Sequence, residues 1–221
     1  MIKGIIFDVD GTLLNSMPVW ENLGELYLQA HGKVAEKGLR DTLYTMNFRQ
    51  GAEYLKTCYG LDQTVEEVME GLNREVRTFY EKKVPLKEGA REYLERFREL
   101  SLPMILATSG ERSNVEAAFT RLGIRNWFEG ILTCSELGTD KKHPDVFLAA
   151  ALQMDLEPSE TLVFEDALYA LQTAKRAGFR TAAIYDQAND RDLAKIWKLA
   201  DIYLPEYTDF DTFWRRVSKL S

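Results

Sequence analysis

The sequence predicts an α/β fold, a doubly wound parallel sheet with an α-helical module inserted after its first strand. Three observations carry that prediction. Short apolar runs alternate with helical periodicity from Leu86 onward, the pattern of βαβ units wound into a parallel sheet. One further apolar run, Ile2 to Phe7, stands alone near Met1. Between them, Ser16 to Val84 contains helical periodicity and no convincing strand.

The expected strands are Ile2 to Phe7, Pro103 to Ala107, Gly130 to Leu132, Thr161 to Phe164, Arg180 to Tyr185 and Asp201 to Leu204. All are short enough to be buried on both faces. Right-handed crossovers place helices on each side of such a sheet. Ligands of these folds bind beyond the carboxyl ends of the strands. The inserted module opens with a helix behind a Ser16 cap and an early Pro18, whose stripe is Leu23, Leu26, Tyr27 and Ala30. A longer stripe runs through Val65, Val68, Met69, Leu72, Val76 and Phe79, behind a capping box of Thr64 and Glu67. The chain leaves this module just before Pro85-Leu86. The domain expectation is therefore a core of residues 1–15 and 85–221 with a helical cap of residues 16–84, an insertion placed to act as a lid. Near the C-terminus, Phe210, Phe213, Trp214, Val217 and Leu220 fall at helical spacing, with Arg215, Arg216 and Lys219 late enough to suit the helix dipole.

A chain of 221 residues with 45% apolar content can fill a core and carry an insertion. The net charge of −7 argues against non-specific binding to nucleic acid or an anionic membrane. Cys58 and Cys134 are far apart and have no metal-ligand spacing, so both are expected to be buried free thiols. The N-terminus passes directly from Met1 into a strand, with no export signal and no membrane-length apolar run. These features lead to the expectation of a cytoplasmic protein, monomeric or weakly dimeric. His31 and His143 show no ligand spacing and receive no role.

The chemistry begins at Ile5-Ile6-Phe7-Asp8-Val9-Asp10-Gly11-Thr12. An apolar strand ends in two carboxylates one residue apart, which repel unless a cation lies between them. Carboxylate and carbonyl oxygens suit Mg²⁺, which prefers a site shared with a substrate phosphate. An EF-hand calcium loop is excluded, because its glycine stands at the sixth position and Gly11 is at the fourth. Three more segments answer the acidic pair. Met104 to Gly110 ends a strand in Thr108, Ser109 and Gly110, donors suited to an oxyanion. Lys141 supplies a positive charge just before a helix at Pro144. Leu162-Val163-Phe164-Glu165-Asp166 ends another strand in adjacent carboxylates, which with substrate phosphate and water complete an octahedral shell.

In that order, Asp8-Val9-Asp10-Gly11-Thr12, Thr108, Lys141 and Glu165-Asp166 resemble the motifs of the haloacid dehalogenase superfamily, in its phosphatase and phosphomutase branch with a helical cap after the first strand. The resemblance spans nearly the whole chain. It implies a Rossmann-like core, a Mg²⁺ cofactor and an aspartyl-phosphate intermediate on Asp8. It also implies that Asp10 is general acid and base and ligates metal through its backbone carbonyl, while Thr108 and Lys141 hold the phosphoryl group. The metal set is then Asp8, Asp10, Glu165 and Asp166, and the substrate set Ser109 and Gly110 with Trp20 and Arg49 of the cap. The substrate expected is a small phosphorylated metabolite, a sugar phosphate or similar monoester. Dehalogenases of the superfamily lack an aspartate at the second position, so Asp10 argues against carbon–halogen cleavage.

Departures shape the alternatives. Lys142 replaces a proline common after the motif lysine, which makes Lys142 a second candidate. Ala167 and Ala170 stand where relatives often carry Ser and Gly. The β-phosphoglucomutases have a histidine where this chain has Trp20, which favours hydrolysis over phosphomutase action. A phospho-acceptor switch of the receiver type also combines a strand-end aspartate, magnesium, a hydroxyl and a lysine, but such domains are shorter and lack the inserted module.

Overall fold

The apolar runs become one sheet, its central strands buried on both faces and its edge strands half-buried at alternate residues. A computed structural model describes residues 1–220. Its strands are β1 (Gly4–Phe7), β2 (Met104–Thr108), β3 (Gly130–Thr133), β4 (Thr161–Glu165), β5 (Arg180–Ile184) and β6 (Ile202–Leu204). They run parallel in the order β3-β2-β1-β4-β5-β6. The chain builds outward from β1 to β3, then returns to the other side of β1 and builds outward again. The reversal lies between β1 and β4, where such sheets open a crevice at their carboxyl ends. Register matches across the switch, with Phe7 opposite both Leu106 and Phe164.

Alternation assigns the two faces. Ile6, Ile105, Ala107 and Val163 pack with Val146, Phe147, Ala150 and Ala151 of α7 (Asp145–Gln153) and with Ala170 and Ala174 of α8 (Leu168–Arg176). Phe7 and Phe164 meet an aromatic cluster instead. Phe7 stacks on Phe164 at 4.7 Å between ring centroids, and Phe97 of α5 (Ala90–Glu99) and Phe213 of α10 (Phe210–Val217) lie at 5.8 and 5.6 Å from Phe164. Such pairs contribute about 0.5–1.5 kcal/mol each beyond area burial. Two further helices, α6 (Arg112–Arg121) and α9 (Leu193–Leu199), complete the crossovers.

The chain divides into two compact units, one of Met1–Asn15 with the chain from Pro85 onward and one of Ser16–Val84. Where it leaves and re-enters the sheet unit it is clamped, with Leu14 bridging Leu86 antiparallel and Asn15 N donating to Pro85 O at 3.0 Å. The other unit holds α1 (Met17–Ala30), α2 (Leu39–Tyr44), α3 (Phe48–Tyr59) and α4 (Val65–Lys82), with α1 and α3 both packed on α4. Thr64 and Glu67 form the expected capping box, and Asn47 with Gln50 forms a second one.

Several expectations for this unit are corrected. The buried stripe of α1 is Val19, Leu23, Gly24, Tyr27 and Leu28, whereas Leu26 and Ala30 are exposed. At 100° per residue Leu26 lies about 60° from Leu23 on the side away from Tyr27 and Leu28, and Ala30 is the last residue of α1. Ser16 makes no side-chain cap to α1, because its backbone sits in the αR region rather than the extended conformation a cap needs. In α4 the buried line is Val68, Leu72, Val76 and Tyr80, while Val65, Met69 and Phe79 are half-buried at its edges. Cys58 is exposed and only Cys134 is buried. On α3 the buried side chains are Ala52 and Leu55, and Cys58 projects about 90° from their mean direction. Among the described residues, no helix is long and apolar enough to cross a membrane.

Candidate active site

Asp8 stands one residue beyond β1, where its backbone N–H still donates to Phe164 O at 2.9 Å. The chain then reverses in a tight turn. Leu13 N and Leu14 N both donate to Val9 O, at 3.0 and 2.8 Å, and Gly11 N donates to Leu14 O at 3.0 Å. Gly11 adopts a φ of 82°, which a side chain would strain. Leu13 and Leu14 are fully buried and anchor the turn.

At the neighbouring end of β4, Glu165 is the last strand residue and Asp166 follows it. Both are buried, as is Asp8. One oxygen from each of Asp8, Glu165 and Asp166 can be chosen so that all lie within 4.8 Å of one another. Lys141 comes from the loop between β3 and α7, and its ammonium is hydrogen-bonded to Asp8 Oδ1 and, at 2.7 Å, to Glu165 Oε1. It is 2% exposed. Lys142 is exposed, so the second lysine candidate is outside the cluster.

The three carboxylates are not equivalent. Both Glu165 oxygens are engaged, Oε1 by Lys141 and Oε2 by the backbone N–H groups of Asp166 and Ala167 at 2.8 Å each. Asp166 accepts from Thr12 Oγ1 at 3.3 Å and from Asn189 Nδ2 at 2.7 Å. Asp8 Oδ2 is buried with no hydrogen-bond partner. A buried carboxylate oxygen without a donor is costly unless a cation or substrate meets it.

Charge leads to the same place. Three carboxylates against one ammonium leave two uncompensated negative charges, which one divalent cation neutralises. Burial pushes Asp8 up to about 7, with Lys141 opposing and Glu165 adding to the rise. Burial, then the Glu165 and Asp8 charges, hold Asp166 well above the ordinary carboxylate range. For Lys141 burial acts downward, but the Asp8 and Glu165 carboxylates outweigh it and hold the ammonium far above its usual value. Hard oxygen donors around a negative, buried pocket fit a cation of the magnesium or calcium type.

Thr108 is the last residue of β2. It is fully buried, and its Oγ1 accepts from Gly110 N at 2.9 Å. A Cβ on Gly110 would stand 3.0 Å from Asp10 Oδ2 and 3.2 Å from Thr108 Oγ1, so glycine keeps a close approach open between the first and second motifs. Ser109 is exposed and its hydroxyl donates to Cys134 Sγ at 3.6 Å. Trp20 and Arg49 belong to the helical unit. Trp20 is 42% exposed and its indole N–H donates to Tyr80 Oη at 3.4 Å, while Arg49 pairs with Glu66 at 2.7 Å and Glu53 at 3.3 Å.

A sequence profile described as a haloacid dehalogenase-like hydrolase matches residues 2–178. The chain belongs to the haloacid dehalogenase-like hydrolase family. This hydrolase is 22% identical over 190 residues to a phosphorylated carbohydrates phosphatase of Thermotoga maritima, covering 86% of this chain and 88% of that one. It is 26% identical over 212 residues to hexitol phosphatase B of Escherichia coli (strain K12), covering 94% of each. A crystal structure of a HAD hydrolase, family IA, variant 3, from Entamoeba histolytica superposes with a TM-score of 0.75 at 20% identity, covering 98% of this chain and 100% of that chain.

The sequence reading did not single out two donors to Asp166. Thr12 was within reach, since it ends the motif that begins at Asp8. Asn189 lies in a polar segment after β5 with no periodic or spacing signal.

Proposed function

We propose that this hydrolase is a Mg²⁺-dependent phosphatase that cleaves a small phosphorylated carbohydrate through a phosphoryl group carried on Asp8. The observation that carries the reading is the pair of Asp8 oxygens, one held by Lys141 and the other buried without a partner. The names of the Thermotoga maritima and Escherichia coli relatives support the substrate class. Trp20, at the position where phosphomutases carry histidine, favours transfer to water.

In this reading Lys141 fixes the carboxylate by Oδ1, and Oδ2 attacks phosphorus as the bond to the sugar oxygen breaks. Asp10 gives its proton to the departing alkoxide. It then takes a proton from the water that attacks phosphorus and releases Asp8. Thr108 and Gly110, with Ser109 beside them, steady the phosphoryl oxygens. Asp8 and Asp166, with Glu165 beside them and the Asp10 backbone carbonyl, would hold Mg²⁺, which neutralises phosphate charge at the approach of one anion to another. The helical unit of residues 16–84 serves as the cap, with Trp20 and Arg49 as its candidate substrate contacts.

The test is phosphate release over a panel of phosphorylated sugars and polyols, with and without Mg²⁺. Release is expected only with metal. Asp10→Asn is expected to lower turnover by about 10²–10⁴, the range of positioned proton transfer. Metal-free release would remove the magnesium assignment, and interconversion of two sugar phosphates without free phosphate would favour the mutase.

Metal binding should also depend on pH in a defined sense. Burial holds the Asp8 carboxyl up at about 7 in the fold, against about 3.9 for an ordinary aspartate. The folded state therefore holds an extra proton between those values, and this group's contribution to stability falls as pH rises through the window. A bound cation displaces that proton. The rise in thermal midpoint on adding Mg²⁺ is expected to grow from about pH 5 to about pH 8, measured by differential scanning fluorimetry. A shift independent of pH would contradict it.

A further inference from the structure

We propose that Asn189 is a positioning residue that holds the Asp166 carboxylate for a divalent cation. The inference rests on the metal site proposed above. Asn189 Nδ2 donates to Asp166 Oδ2 at 2.7 Å, and Thr12 Oγ1 donates to Oδ1 at 3.3 Å, so each oxygen is steadied by a neutral donor. Neutral donors orient a carboxylate without competing for its charge. An additional ammonium there would weaken cation binding, as Lys141 already neutralises part of the cluster. Outer partners of this kind fix the plane in which a ligand presents its lone pairs.

The segment carrying Asn189 is built to hold still. Residues Gln187–Asp192 form a 3₁₀ turn after β5, capped by Asp186, whose Oδ1 accepts from Ala188 N at 2.9 Å. Asn189 N donates to Asp186 O at 3.0 Å. Asp186 Oδ2 pairs with Lys87 Nζ at 2.9 Å, and Lys87 Nζ donates to Tyr185 O at 2.6 Å. Their side chains are 7% and 15% exposed. A largely buried ion pair thus ties the turn to the segment leading into α5. Asn189 itself is half-buried at the surface of its turn, so its substitution touches Asp166 more than the core.

The experiment titrates Mn²⁺ into metal-free wild type, Asn189→Ala and the near-isosteric Asn189→Leu, reading free Mn²⁺ by electron paramagnetic resonance and Mg²⁺ by competition. Both variants are expected to raise the metal Kd by about 10-fold or more. Their metal-free thermal midpoints stay within about 3 °C of wild type, as for a surface substitution, and kcat at saturating Mg²⁺ falls by a smaller factor than affinity. Lys87→Met, which frees the turn, weakens binding in the same direction. Wild-type affinity in either Asn189 variant overturns the inference while leaving the phosphatase reading standing. A wild-type protein that binds neither ion overturns both.

Discussion

Asp8→Asn is expected to abolish turnover, by at least about 10⁴-fold, while leaving the fold intact. The substitution keeps the shape of the side chain and removes the proposed nucleophile. Asn retains an oxygen to accept from Lys141, so the hydrogen bond to the ammonium persists. It also takes one negative charge out of a cluster holding three carboxylates against one ammonium. The metal-free thermal midpoint is therefore expected not to fall. Loss of phosphate release with an unchanged midpoint locates the effect in chemistry, whereas wild-type turnover in this variant would remove the covalent route.

Lys141→Met is expected to have the largest effect on stability together with loss of activity. Its ammonium is 2% exposed and is the shared partner of Asp8 and Glu165. Removing one partner of a buried ion pair leaves charge uncompensated, which costs about 3–5 kcal/mol. The sign of the pH dependence follows from the carboxyls. At low pH Asp8 is protonated and needs no partner; Lys141 holds its carboxyl down to about 7, so without the ammonium it keeps its proton to higher pH, and as pH rises past about 7 the folded variant must either hold that proton or bear the repulsion. Urea unfolding should show a stability loss larger at about pH 8 than at about pH 5. An equal loss at both would mean that Lys141 matters for packing over Phe147, whose ring centroid lies 5.7 Å from Nζ, rather than for charge.

Much of the sheet was legible because burial on both faces leaves little room for other patterns. The continuous apolar runs ending at Phe7, Ala107 and Phe164 leave the polar residues that follow them at strand ends. The helical unit was less legible in detail. Its helices are amphipathic around partners the periodicity does not name, so the stripe of α1 was extended to Leu26, about 60° from Leu23, and to Ala30, the last residue of the helix, while the expected burial of Cys58 rested on the absence of metal-ligand spacing alone. Within the site, the charged residues announced themselves, because adjacent carboxylates after an apolar strand are rare without a reason. The neutral donors did not. Asn189 reaches Asp166 across 23 positions from another strand end, and only the order β1-β4-β5 in the sheet brings them together.

The central claim is that the phosphoryl group rests on Asp8 between two displacements. Asp10→Asn supplied with Mg²⁺ and an aryl phosphate, whose leaving group needs no proton, should form the intermediate and hydrolyse it slowly. Acid quenching followed by peptide mass spectrometry should find one phosphoryl group on Asp8. Steady release of the phenolate with no phosphoryl group on Asp8, or with the group on another residue, would contradict the account.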